Sequence, residues 1–154
     1  MSDPRNIGRR LEQTQVVERP GASGQTTFFS TGTYVPTYLG GTTAGATTYS
    51  VQQGAWTKIG DLVFVTGSLT WTAATGTGTA IISLPFTSAN VANQNHGGSC
   101  WISSVTFANG TPLLLISPNT AVFSLFSPLT NAGNTAVAVE AAGTMVFTVA
   151  YRFA

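Results

Sequence analysis

From Tyr34 to Ala154 the chain carries only four formally charged side chains, Lys58, Asp61, Glu140 and Arg152, and nothing else in it constrains the fold as much. Glu, Lys and Arg are good helix formers and supply the polar face of an amphipathic helix, so a segment without them has little to present to water as a helix. The body is built instead from Thr, Val, Phe and Ile in short runs bounded by Gly, Asn, Pro and Ser. That is the vocabulary of strands and turns, and an all-β body is expected.

The remaining charges, Asp3, Arg5, Arg9, Arg10, Glu12, Glu18 and Arg19, fall in the first nineteen residues, and the break RPGASGQ follows them. Pro20, Gly21 and Gly24 deny regular structure there, so residues 1–33 read as an extended arm and linker and 34–154 as the domain. Residues 9–17 suffice for a helical turn or two, which at that length needs a partner to persist. A chain of 154 residues builds one ordinary core, and a single domain is expected.

Within the body, residues 47–52 and 55–59 read as strands separated at Gly54, and Gly60-Asp61 reads as a two-residue hairpin turn. Gly at its first position supplies the positive φ of a type II′ turn. In the run 62–71 that follows, Val63, Val65, Gly67, Leu69 and Trp71 share the more apolar face. Further strands are expected at 79–84, 100–107, 112–117, 121–126, 135–140 and 144–153, with loops at 73–78 and 88–99. Eight or nine antiparallel strands with regular turn signals fit a jelly-roll-like β-sandwich.

Charged residues are 7% of the chain, against roughly 25% in an ordinary soluble protein. Such a body is hydrated by hydroxyls and amides or covered by partners, and interface cores are depleted in charge in the same way. A net charge of +1 gives no basic patch for phosphates, so nucleic acid is not an expected partner. The arm's four arginines are offset by three acids, which suits paired contacts with protein. The opening residues lack the apolar stretch of a secretory signal and no run approaches 18 apolar residues, so synthesis in the cytoplasm without a membrane partner is expected. Cys100 is alone, which leaves no internal disulfide.

Sites for chemistry are scarce. The one histidine, His96, precedes Cys100 by four residues, and a third, orienting group would have to come from Asp61 or Glu140. Asp61 is accounted for by its turn, and Glu140 is expected to pair with Arg152 or Lys58. Neither clustered metal ligands nor a phosphate-binding glycine loop is present, so no catalytic residue, metal or cofactor is assigned. Trp56, Trp71, Trp101, Tyr34 and Tyr38 have faces that suit an uncharged glycan, while in a sandwich such residues more often fill the core or a subunit interface.

The stretch GTYVPTYLGG at 32–41, the run Gly54-x-Trp56-Thr57-Lys58-Ile59-Gly60, then Val63-x-Val65-x-Gly67 and the closing Ser83-Leu84-Pro85-Phe86 resemble a domain of tailed-bacteriophage virion proteins. That domain occurs in tail-fibre tips and small head proteins; the C-terminal half matches it by strand-like character and the final VAYRFA. The resemblance implies a jelly-roll or related β-sandwich trimer on the virion surface, without enzymatic activity. The expectation is a homotrimeric capsid decoration (cement) protein that docks on the major capsid protein through Arg5, Arg9, Arg10, Glu12, Glu18 and Arg19 and stabilises the head. A short arm ahead of the domain favours this over a fibre with a long shaft. The alternative is a tail-fibre or spike tip that binds a host-surface glycan through the loop 88–99 and the aromatic set.

Overall fold

A computed structural model describes residues 28–108, 110–129 and 132–154. Ten strands run through them in the order β1 (Phe29–Tyr34), β2 (Tyr38–Gly40), β3 (Thr47–Ile59), β4 (Leu62–Ala74), β5 (Ala80–Ser83), β6 (His96–Ser103), β7 (Leu113–Ile116), β8 (Val122–Leu129), β9 (Ala132–Ala136) and β10 (Gly143–Arg152). Hydrogen bonding follows one path, β1-β3-β4-β10-β6-β7-β8-β5-β2, with β9 beside β8, and each of these pairings is antiparallel. The class is the expected all-β antiparallel sandwich, formed by one sheet curled on itself.

The β3–β4 hairpin is the spine. Gly60 has φ +62° and Asp61 is not in the left-handed region, the combination a type II′ turn requires; Ile59 pairs with Leu62 across it. Along β4, Val63, Val65, Leu69 and Trp71 are buried while Phe64 and Thr66 face outward, so the alternation in the sequence is realised on the sheet. On its other side β4 pairs with β10 over ten residues, which buries Met145, Phe147, Val149 and Tyr151 on the same inner face.

The curl brings the second half of the path over the first. Tyr38 of β2 stacks on Trp71 of β4 with centroids 4.2 Å apart, and Phe123 of β8 packs on Phe147 of β10 at 4.9 Å. Burying large rings from both halves is the main apolar gain here, since each removes roughly 150–250 Å² from water. β6 and β7 are paired through His96, Gly97 and Gly98.

Several boundaries differ from the sequence reading. Pairing begins at Phe29, inside the segment assigned to the linker, because Ser30, Gly32 and Tyr34 alternate inward opposite Lys58, Trp56 and Gly54. β3 runs unbroken through Gly54, whose missing side chain makes room for the Tyr34 ring. β6 begins at His96, four residues before the expected start; Gly98 there lies in close contact with Val149 of β10, and Gly97 pairs with Leu115, so the stretch is strand and not loop. β9 lies at 132–136 in place of 135–140.

Candidate functional site

The side chains considered for catalysis do not converge. His96 and Cys100 are four residues apart on β6, about 13 Å along an extended strand, beyond the reach of a thiol–imidazole hydrogen bond. Burial pushes the Cys100 thiol up to about 11, away from the thiolate a nucleophile needs. Asp61 lies beside the Arg152 end of β10 and Glu140 precedes its Gly143 end, so about 30 Å of strand separates two carboxylates that glycosidic cleavage requires within roughly 10 Å. Among the described residues no three His, Cys, Asp or Glu side chains gather as a metal site.

The four charges of the body are each occupied at the margins. Arg152 donates to Asp61 through Nε at 2.7 Å and pairs with it through a second guanidinium nitrogen. Lys58 points inward into an aromatic cage, its Nζ 3.6 Å from the Phe86 ring centre and 4.0 Å from that of Phe153, with Trp56 at 5.7 Å. Glu140 accepts from the Thr106 amide at 3.4 Å, so the expected pairing with Arg152 or Lys58 is replaced by these contacts. Its backbone is clamped by the stacked core rings: Trp71 Nε1 donates to the Glu140 carbonyl at 2.9 Å and the Glu140 amide donates to the Tyr38 hydroxyl at 3.0 Å.

This arrangement leaves the outer face of β1, β3, β4, β10 and β6 without charge except at its hairpin end. The registers align its rows: Thr31, Thr57, Phe64 and Ala150; then Thr33, Ala55, Thr66, Thr148 and Ser99; then Gln53, Ser68, Val146 and Trp101. Only Arg152 has the parity of this face, and it sits at the hairpin end on Asp61. Phe29, Ile59, Phe64, Val146 and Trp101 project outward from these five strands, Trp101 with 61% of its surface exposed. An open groove of about 610 Å³ crosses the face between Val35, Gln53, Ser68 and Val146.

The five aromatics singled out from the sequence separate accordingly. Trp71 and Tyr38 are core residues with no free face for a ligand. Trp56 is half-buried, packed edge-on against Phe86 at 4.9 Å and lying over Gly32. Tyr34 is half-buried over Gly54 with its hydroxyl buried and its pKa raised by that burial. Trp101 alone of the five presents its ring to solvent. The outward Phe64 and Val146 were not recognised in the sequence, although their phase, opposite to Val63 and Val65 or Met145 and Phe147, marks them. In the loop 88–99, Ser88 is buried and tied to Ser117 and Thr120, so that stretch is anchored at its start. The arm set Arg5, Arg9, Arg10, Glu12, Glu18 and Arg19 lies outside the described residues.

Comparison of shapes finds this architecture in the crystal structure of the Dettilon tailspike protein (gp208), with a TM-score of 0.62 and 15% identity over 82% of this chain. The chain spans 24% of that tailspike's length, and at this identity the likeness is one of fold. No protein-family model and no curated protein sequence matches the chain.

Proposed function

We propose that the chain is a non-enzymatic structural component of a phage virion that assembles with copies of itself, as a homotrimer, in a tail spike or fibre on the virion surface. The observation that carries this reading is the five-strand outer face, studded with exposed rings and charged only at its hairpin end, where Arg152 is already paired with Asp61. Such a face matches the core of an assembly interface, which excludes charge and gathers aromatic residues. The fold shared with a tailspike supports the tail context. Capsid decoration is the second reading, favoured by the seven charges gathered within residues 3–19.

The two part experimentally. Purified virions are separated into heads and tails and each fraction is probed for peptides of this chain. Recovery with tails supports the spike reading. Recovery with heads, together with loss of capsid binding when residues 1–27 are removed, supports decoration. Absence from both fractions of intact virions overturns the structural role.

A further inference from the structure

We propose that the outer face of β1, β3, β4, β10 and β6 is the surface through which one copy of this chain packs on another, with Phe64, Val146 and Trp101 as its anchors. The proposal rests on the assembly role above and assigns that role to one face.

Seven of the nine exposed large apolar side chains in the described residues lie on this face or at the ends of β1, and only Val91 and Leu113 lie elsewhere. They form two patches. Phe29, Ile59 and Phe64 sit near the hairpin end; Val146 and Trp101 are a direct cross-strand pair on β10 and β6, with Val35 across the groove. Between them runs a band of threonines, Thr31, Thr33, Thr57, Thr66 and Thr148.

The occupant follows from charge. A foreign soluble surface is roughly a quarter to a third charged, and docking it here would strip water from those charges with nothing opposite to pair them. A second copy of this face brings one charged pair, Arg152 with Asp61 at the hairpin end, whose two members already neutralise each other, and no charge elsewhere on it. Size agrees as well: five strands spaced about 4.8 Å, each about seven residues deep, make a face of roughly 550 Å² in projection, near the scale of the ~800 Å² per partner of a standard interface once side-chain relief is added.

Full-length protein is measured by light scattering alongside Phe64→Asp, Val146→Asp and Val91→Asp, the last an exposed apolar position off the face. The expected result is a wild-type mass at least twice the 16.0 kDa of one chain, an at least tenfold weaker association for Phe64→Asp and Val146→Asp, and a wild-type mass for Val91→Asp. Near-UV circular dichroism checks each fold, and Trp101→Ser replaces any variant that fails to fold. A wild-type oligomer unaffected by the face variants overturns the face assignment and leaves the assembly role standing. A wild-type monomer overturns both. If that monomer binds a neutral glycan and loses it in Trp101→Ser, the face belongs to carbohydrate.

Discussion

Four glycines owe their place to the aromatic ring directly opposite on the next strand. Gly32 lies under Trp56, Gly54 under Tyr34, Gly67 under Phe147 and Gly143 under Trp71, each a register partner of the ring that covers it. The rings lie flat along the inner sheet surface, and a Cβ at any of the four would enter the ring's own volume. The constraint is tightest at Gly67, because Phe147 is buried and held edge-on by Phe123, 4.9 Å away. Gly67→Ala is expected to cost about 1–3 kcal/mol in urea unfolding through overpacking. Gly133→Ala is the comparison: a Cβ there meets nothing within 4 Å, and the change is expected to stay within about 0.5 kcal/mol. Equal effects at the two sites would mean that backbone entropy, and not the ring, governs Gly67.

Among the elements, those with regular alternation were legible in the sequence and those held by distant partners were not. β4 and β10 bury every second residue, and their faces and approximate ends could be read directly. β1 was hidden by the composition change beside it, and the three-residue β2 exists because it pairs with β5 and seats Tyr38 on Trp71. β8 runs past the expected end through Pro128, where the register with β9 shifts and no ladder amide is required. The candidate face was legible only in part. Trp101 alternates with Cys100 and Ile102, which places it on the outer side of β6, but its neighbourhood with Val146 and Ser68 depends on β10 entering between β4 and β6. That pairing is non-local, and no local pattern announces it. The connection between β5 and β6 is likewise fixed from afar. Ser88 Oγ donates to the Ser117 carbonyl at 2.7 Å and accepts from the Thr120 amide at 3.0 Å, joining this connection to the β7–β8 turn. Ser88→Ala removes the partner of the Thr120 amide, while the Ser117 carbonyl keeps the Thr120 Oγ1 donor at 2.9 Å, and is expected to cost about 1 kcal/mol by equilibrium denaturation. A neutral result would show that water replaces the hydroxyl.

The whole molecule carries its polarity in hydroxyls and amides, and this sets how it answers to pH and salt. Burial pushes Tyr151 up to about 12 and raises Tyr34 and Tyr38 as well, whereas in the unfolded chain tyrosines ionise near 10. The folded state therefore holds these protons more tightly. Its stability is complete below about pH 10 and falls as pH rises towards 12, with Tyr151 alone accounting for about 2–3 kcal/mol of the loss. Urea midpoints are expected to be level from pH 7 to 9 and to drop above 10, with a shallower drop in Tyr151→Phe; a midpoint independent of pH up to 12 refutes the assignment. Salt distinguishes the two kinds of contact proposed for this chain. Self-association through a face charged only at its paired hairpin end has little Coulomb term to screen, so its constant is expected to change by less than about twofold between 50 and 500 mM NaCl. Docking through the four arginines and three acids of residues 3–19 is an electrostatic contact and weakens over the same range. Sedimentation of the isolated chain across that salt range reads the first contact directly, and strong dissociation by salt would assign assembly to the charged segment and remove it from the sheet.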